Sequence, residues 1–211
     1  DAENFPSDAY KKLSSAASKT NALSSSTAFS LLSYFMRANY KFNNKYLIAL
    51  SGRYDGSSRF GTNNRYGFFP AGSVGWVLSE EKFLQDSRWI NFLKLKASYG
   101  LTGNAEIPNF ASRGLYSGNG GYGGIAGQRP DQIENPDLKW ETTAGSDFGF
   151  ELSTFKNRIE IEFDYYTRNT RDLLLNVEIP GTSGFSTQFK NVGNLENKGF
   201  EITLNTTNIS S

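Results

Sequence analysis

The 211-residue chain contains no cysteine, no histidine and only one methionine. These absences exclude disulfide bonds, zinc sites built from Cys and His, Ser–His and Cys–His nucleophile pairs, and imidazole acid–base chemistry. No hydrophobic run approaches the roughly 18 to 20 residues that a membrane-spanning helix needs, so a helical membrane protein is excluded. A membrane β-barrel is not excluded, because its strands alternate apolar and polar residues and resemble soluble protein in average hydropathy.

The chain also lacks an excess of charge of one sign. Its 22 basic and 21 acidic residues give a net charge of +1, and no basic stripe suggests a nucleic-acid partner. The first residues, from Asp1 to Asn4, have neither the charged region nor the apolar region of a signal peptide. We therefore expect the chain to start inside a longer protein.

Aromatic residues and glycine are abundant, with 17 Phe, 11 Tyr and 21 Gly, a composition that favours strands and turns. Alternation of apolar and polar residues is the dominant pattern. It predicts seven antiparallel strands, at about residues 31–42, 45–54, 69–79, 92–101, 140–152, 157–167 and 198–208. Asn43 and Asn44 predict a tight turn between the first two, because Asn tolerates positive φ.

The lengths of the strands and links indicate a membrane. Strands of about 9 to 13 residues suit the roughly 9 to 11 needed to cross a bilayer at a tilt, whereas soluble strands average roughly 5 to 6. The tight links at 43–44 and 154–157 would lie at one end of the sheet, together with a medium link at 80–91 that has room for one helical turn. The long links, at 55–68, 102–139 and 168–197, would lie at the other, an asymmetry typical of outer-membrane barrels.

The fold predicted is all-β, a fragment of an antiparallel transmembrane β-barrel. A soluble β-sandwich remains open on pattern alone, because its strands also alternate. Bacterial single-chain barrels have an even number of strands, and an open sheet leaves bare edges, so a barrel here needs further strands. We predict that residues 1–29 belong to an outer loop and residues 30–211 to a barrel domain whose plug domain is absent from this chain.

The alternation also predicts which residues face lipid and which face the interior of a barrel. The predicted membrane-facing residues are Tyr34, Met36, Ile48, Leu50, Leu93, Leu95, Phe148, Phe150, Ile159, Ile161, Phe163, Ile202 and Leu204. The predicted lumen residues are Arg37, Lys41, Arg53, Lys94, Lys96, Asp147, Glu151, Arg158, Glu160, Glu162 and Glu201. On this assignment Ile161→Arg costs about 2 to 4 kcal/mol in a bilayer, and Glu162→Arg costs little.

Five sequence blocks carry a resemblance to a known family. They run from Arg53 to Gly61, Arg65 to Trp76, Leu93 to Asn104, Asn135 to Thr143 and Asn197 to Glu201. In these blocks and in their order, the chain resembles the SusC/RagA-type TonB-dependent transporters of Bacteroidota. Five ordered blocks are far more specific than any one of them alone.

The resemblance implies a 22-stranded barrel in the cell outer membrane, with an N-terminal plug and a TonB box outside this chain. It also implies a SusD-like surface lipoprotein that captures glycans or peptides, and energy delivered by TonB–ExbB–ExbD. The expected function is import of large nutrients, without enzymatic activity and without a cofactor. A passive porin remains an alternative, since the plug and the TonB box would lie outside this chain.

Three motifs that resemble catalytic or binding sites have simpler explanations. Residues 118–123 match G-x-G-x-x-G, but no helix is predicted after them, so a flexible loop is favoured over a nucleotide site. Asp55 to Ser58 lack the further ligands of a calcium loop, and we interpret them as a turn with Arg53 and Arg59 available to pair with Asp55. The acidic row at 160, 162 and 164 resembles paired catalytic carboxylates. Residues at alternate positions of a strand simply line one face, however, as expected of a lumen wall.

The long link 102–139 is the candidate ligand-binding segment. It combines aromatic rings with amide and guanidinium groups, which often hold sugars and peptides, and long outer loops are where a barrel meets its ligand. The alternative is that the loop only packs against other loops or a partner. The candidate residues are Phe110, Tyr116, Asn119, Tyr122 and Arg129.

Overall fold

The computed structural model describes residues 26–118 and 120–208, together with Ser7, Ala9 and two short strands nearer the start. The strands are β1 (Ala2–Glu3), β2 (Ser18–Lys19), β3 (Leu31–Phe42), β4 (Tyr46–Ser57), β5 (Tyr66–Val77), β6 (Ile90–Asn104), β7 (Leu115–Ser117), β8 (Arg129–Gln132), β9 (Glu141–Thr154), β10 (Ile159–Arg171), β11 (Leu174–Glu178), β12 (Thr187–Asn191) and β13 (Asn194–Thr206). Seven of them form one antiparallel sheet in the order β3-β4-β5-β6-β9-β10-β13. The other six form three separate pairs, β1 with β2, β7 with β8 and β11 with β12.

The main sheet is an open meander, which confirms the seven predicted antiparallel strands. Within the described residues its edge strands, β3 and β13, do not pair with each other. Its apolar side chains remain exposed across the sheet, as Met36 (74%), Leu50 (59%) and Phe200 (68%) illustrate. The soluble sandwich is therefore wrong, because no second sheet covers these side chains in the part of the chain that the structure describes.

The connections lie at alternate ends of the sheet as predicted, but their lengths do not alternate strictly, because the link 78–89 is longer than the link 58–65 at the opposite end. Residues 43–45, 78–89 and 155–158 join strands at one end, here called the short-turn end. Residues 58–65, 105–140 and 172–193 join them at the opposite end, here called the long-loop end. Asn43 and Asn44 have φ of 49° and 57°, and Lys45 N–H donates to the Phe42 carbonyl at 2.9 Å, as a tight hairpin turn requires.

Helical structure is limited to 3-10 turns at Leu78–Glu80 and Gly181–Ser183 in the described residues. None of the helices found there is long and apolar enough to cross a membrane. The first of these turns corrects two predictions. The third strand ends at Val77 rather than at 79, and the helical turn expected within 80–91 comes earlier.

The buried core is small and lies at the long-loop end, not beneath the sheet. It consists of Phe60, Phe69, Ile107, Ala111, Leu138 and Trp140. Phe69 is in β5, while the other five residues come from the links 58–65 and 105–140. The strands of the sheet therefore hold together mainly through their backbone hydrogen bonds. The apolar side chains that are buried come mostly from the links.

Candidate functional site

The register of the sheet separates its side chains into two faces. Strand pairs such as Leu95 with Phe150 and Phe163 with Ile202 align apolar residues across the whole sheet. All thirteen residues predicted to face the membrane lie together on this side, here called the apolar face. The strand alternation places ten of the eleven predicted lumen residues on the opposite side, here called the polar face. Arg158 is the exception, because it lies in the turn before β10 and its Nε donates to the Thr207 carbonyl at 3.0 Å.

A network of ion pairs crosses the middle of the polar face. Lys96 Nζ, on β6, lies 2.6 Å from Glu162 Oε1 and 2.9 Å from Asp164 Oδ2, both on β10. Lys96 reaches β10 by passing over β9 at Gly149, where any side chain would collide with Asp164. Glu162→Arg would place a cation beside Lys96, so this substitution should not be as harmless as predicted. Glu160→Arg is the substitution on this strand expected to cost little, because no ion pair is found for Glu160 among the described residues.

The rest of the polar face combines further ion pairs with small side chains. Lys94 Nζ binds Glu151 Oε1 at 2.9 Å, and Asp147 accepts hydrogen bonds from Arg168 at 2.8 Å and from Ser98 at 3.0 Å. A cavity of about 480 Å³ opens over this face. Small side chains, including Ala49, Ser73 and Ser98, form part of its lining. The face is charged and partly lined by small side chains, as expected of a barrel wall that encloses water.

An aromatic cluster marks the short-turn end of the apolar face. Tyr40, Phe42, Tyr46 and Trp76 stack in sequence, with ring centroids 6.3 to 6.4 Å apart. Glu81, in the link after β5, accepts hydrogen bonds from Lys45 at 2.9 Å, Tyr46 at 2.8 Å and Trp76 at 3.1 Å. Aromatic rings with polar groups collect at membrane–water interfaces, so this cluster is suited to the boundary of an apolar band.

The Glu81 contacts predict a specific acid sensitivity. Hydrogen bonds from Lys45, Tyr46 and Trp76 hold the pKa of the Glu81 carboxyl at about 2, below its ordinary value of 4.5. The folded carboxyl therefore protonates at lower pH than the unfolded one, so its stabilisation is complete above about pH 4.5 and is lost as the pH falls towards 2.

We expect Glu81→Gln to remove this part of the pH dependence. The measurement is the thermal unfolding midpoint of the full-length protein in detergent, followed from about pH 6 to pH 2. Glu80→Gln is the matched control, because the three donors bind Glu81. An unchanged slope for Glu81→Gln below about pH 4.5 would show that these contacts do not stabilise the fold.

At the long-loop end, a packed core joins the link after β4 to the link before β9. Phe60 is 1% exposed, Leu138 is fully buried and Trp140 is 7% exposed. The Trp140 ring lies 4.7 Å from the Phe60 ring and 5.3 Å from the Phe69 ring, centroid to centroid. This group, with Ile107 and Ala111, is here called the loop core.

The hydrogen bonds around the loop core involve two of the blocks that carry the family resemblance. Gly61 N–H donates to the Leu138 carbonyl at 2.9 Å, and Asn64 Nδ2 donates to the Asp137 carbonyl at 3.0 Å. A side chain at Gly61 would overlap the Pro136 carbonyl, so only glycine allows this close approach. These blocks therefore fix the base of the loops rather than form a ligand site.

Asp55 also has a structural role, and its position corrects the prediction that Asp55 to Ser58 form a turn. The residues from Asp55 to Ser57 end β4 instead of forming a turn. Asp55 is 1% exposed and its Oδ2 accepts a 2.6 Å hydrogen bond from Arg53 Nε. Arg59 does not take part, because its guanidinium donates to Asn109 Oδ1 at 2.8 Å and to the Ala105 carbonyl at 3.0 Å.

The β11–β12 hairpin is attached to the loop core by amide side chains that sequence reasoning missed. Asn135 Nδ2 donates to the Phe189 carbonyl at 2.8 Å. Asn191 binds both backbone groups of Lys139, at 2.9 and 2.7 Å. Gln132 Nε2 likewise donates to the carbonyls of Phe110 and Arg113. No sequence signal distinguishes these amides from the many other Asn and Gln residues in the links.

The predicted ligand residues do not converge on one pocket. Tyr116 and Arg129 lie on the paired strands β7 and β8, and Tyr122, which is 90% exposed, lies in the link between them. Phe110 lies at the base of this loop, with Arg113 5.6 Å above its ring, and Asn119 lies outside the described residues. The glycine-rich segment that contains residues 118–123 connects β7 to β8 and is followed by a strand, so the nucleotide interpretation is wrong.

The comparison with known families decides the identity of this sheet. A family model described as "TonB dependent receptor-like, beta-barrel" matches residues 2–209. The chain belongs to the TonB-dependent receptor family, as part of its β-barrel. The predicted resemblance and the predicted barrel fold are both confirmed, and the members of this family are outer-membrane receptors and transporters rather than enzymes.

Relatives of this TonB-dependent receptor barrel include "TonB-dependent receptor P39" of Formosa agariphila, which is 46% identical over 84% of the chain. "TonB-dependent receptor SusC" of Bacteroides thetaiotaomicron is 41% identical over 85% of it. A structure described as the RagAB peptide importer in the closed-closed state covers 100% of the chain with a TM-score of 0.81 and 37% identity. The chain spans 17%, 19% and 24% of these three proteins, respectively.

Proposed function

We propose that this chain forms part of the barrel wall of an outer-membrane importer for large nutrients, either oligosaccharides or peptides. In this proposal the apolar face contacts lipid and the polar face lines the interior. A SusD-like surface lipoprotein covers the long-loop end, and TonB–ExbB–ExbD supplies energy through segments outside this chain. Residues 1–29 and 30–211 then belong to an outer loop and to the barrel domain, respectively.

The observation that carries this proposal is the separation of the two faces. Seven strands expose a continuous apolar surface on one side, while ion pairs centred on Lys96 occupy the other. A lipid bilayer satisfies the first surface and an enclosed aqueous interior satisfies the second. The structural similarity to the RagAB peptide importer supports peptides as one class of cargo.

The long-loop end is suited to meet this cargo. Its base is fixed by the loop core, while the β7–β8 hairpin exposes Tyr116 (64%) in β7 and Tyr122 (90%) in the link between its strands. Exposed rings on a fixed base provide stacking surfaces for sugars or peptide side chains. Near residue 29, Thr27 Oγ1 accepts a 2.6 Å hydrogen bond from Asn109 Nδ2, which supports the assignment of the preceding segment to this end.

We expect the double substitution Tyr116→Ala with Tyr122→Ala to weaken ligand binding by roughly tenfold, because each lost ring contact is worth about 0.5 to 1.5 kcal/mol. The measurement is isothermal titration of the full-length receptor with oligosaccharide and peptide libraries. Phe83→Ala is the control, since Phe83 is 72% exposed but lies in a link at the short-turn end. Equal affinities for both variants would place the ligand elsewhere.

The importer itself is tested by cell fractionation and uptake of the full-length protein. We expect it in the outer-membrane fraction, and we expect its deletion to abolish growth on one class of oligosaccharide or peptide. Recovery in the soluble fraction would contradict the membrane barrel. Unchanged uptake after removal of the TonB system would favour the passive porin instead.

A further inference from the structure

The apolar face contains a groove near its short-turn end. The groove has a volume of about 560 Å³, within the range of roughly 300 to 1,000 Å³ that is usual for small-molecule sites. It lies across β4, β5, β6 and β9, in the interior of the sheet, so no strand outside this chain is needed to form it. Its lining includes Ile48, Val74, Trp76, Leu95 and Phe148, arranged around Ala97.

Ala97 creates the groove because it is the smallest side chain in its row. The register places it between Val74 of β5 and Phe148 of β9. In the next row towards the short-turn end, Trp76 and Leu95 are both large. A methyl group surrounded by these longer side chains leaves a depression that the chain itself does not fill.

The position of the groove determines what can occupy it. It opens on the apolar face, which in an outer-membrane barrel is covered by lipid. Four strands at spacings of about 4.8 Å make the groove about 14 Å long in the direction across the strands. Because barrel strands are tilted by about 35 to 45°, this direction runs obliquely through the hydrocarbon core rather than along the membrane plane. An apolar groove of this length and direction fits a segment of the hydrocarbon tail of one lipid.

The Glu81 carboxylate and its hydrogen-bond donors lie at the short-turn end of the groove. Trp76 and Tyr46 line it and also donate to the Glu81 carboxylate. Glu81 in turn accepts one hydrogen bond from Lys45, and an ammonium group has three donors. Because Lys45 already forms an ion pair with Glu81, its remaining donors suit the phosphate of a zwitterionic headgroup, whose own ammonium offsets the nearby Glu81 carboxylate. Aromatic residues favour this headgroup region.

We propose that this groove holds one acyl chain of a phospholipid from the leaflet nearer the short turns, with its phosphate at Lys45. The inference rests on the proposed membrane barrel and adds a specific lipid site to it. A lipid held in this way would remain attached when the surrounding lipids exchange.

The test is native mass spectrometry of the delipidated full-length protein, titrated with palmitoyl-oleoyl phosphatidylethanolamine. We expect Ala97→Phe, which fills the groove, to raise the dissociation constant of the first lipid at least tenfold. Ile202→Phe is the matched control, because Ile202 lies on the same face outside the groove. Equal dissociation constants for the wild type and Ala97→Phe would overturn the proposal.

Two further measurements keep the result decisive. Ala97→Leu fills less of the groove and replaces Ala97→Phe if that variant does not assemble. It too is expected to raise the dissociation constant of the first lipid, and a dissociation constant equal to that of the wild type would overturn the proposal. Diacylglycerol with the same chains is expected to bind at least tenfold more weakly than the phospholipid, and equal binding would reject the phosphate contact. Failure of the wild type to enter the membrane would instead contradict the proposed function.

Discussion

Leu50→Arg is expected to lower the free energy of unfolding in a lipid bilayer by about 2 to 4 kcal/mol, the cost of an arginine near the middle of a barrel's lipid-facing surface. Leu50 lies on the apolar face of β4 and is 59% exposed. It is four residues from Tyr46 and four from Tyr54, the aromatic residues near the two ends of this strand. An exposed cation at this depth has neither water nor a counter-ion to solvate it.

Ala49→Arg is the matched control, since Ala49 is the preceding residue of the same strand and points to the polar face. Ala49 pairs with Asn39 and Ser73, so no charged residue lies directly opposite the new cation. The face around it is hydrated in the proposed barrel, so we expect a change below about 1 kcal/mol. The measurement is reversible folding of the full-length barrel into lipid vesicles. Equal costs for both substitutions would show that the two faces have been assigned incorrectly.

Phe60→Ala is expected to destabilise the loop core by about 3 to 5 kcal/mol, the usual cost of removing a buried phenylalanine side chain. Phe60 is 1% exposed and packs against Trp140. Because both links of the loop core depend on this contact, its loss should release them together. The expected readout is a fall of more than about 100-fold in hydrogen-exchange protection of the Gly61 amide, at about 1.4 kcal/mol per factor of ten.

Tyr122→Ala provides the comparison for this result. Tyr122 is 90% exposed, so its removal should leave the exchange of the Gly61 amide unchanged. Limited proteolysis should follow the same order, with rapid cleavage in the links of Phe60→Ala only. If Phe60→Ala keeps full protection, the links are held by their hydrogen bonds and not by packing.

The strands and their faces were predictable because alternation is a local signal that tertiary contacts do not override here. A bilayer and a water-filled interior impose opposite demands on successive residues, and the register kept all thirteen predicted apolar positions together. The depth of each residue in the membrane was less predictable. Ile161 is the third residue of β10 and lies near the short-turn end. Ile161→Arg should therefore cost about 0 to 1 kcal/mol, less than the about 2 to 4 kcal/mol predicted from the sequence.

Strand boundaries were missed where the sequence is rich in glycine. The segment from Tyr66 to Phe68 contains Gly67 and was assigned to a link, yet β5 begins at Tyr66. The start of β5 is fixed by pairing, since Tyr66 and Phe68 face Gly56 and Tyr54 of β4. Such pairing between strands is not encoded in local propensity.

The loops were the least predictable part of the molecule. Short strands such as β7 and β8 lie within a long link whose glycines suggested only flexibility. The ties that order these links run from amide side chains to distant carbonyls, as from Asn135 to Phe189. A partner 54 residues away in sequence leaves no periodic pattern, so only the fold reveals it.

The separation of a fixed base from exposed hairpin tips has a consequence for diversification. The contacts of the loop core involve residues 58–65 and 105–111 and the segment around Leu138, whereas the hairpin tips at 118–128 and 179–186 lie beyond them. Insertions, deletions or grafted segments at these two tips should change cargo preference while the wall beneath them assembles unaltered. In the proposed importer, one scaffold would thus be re-targeted to new nutrients by exchanging roughly ten residues at a time, the tolerance expected of exposed loop tips.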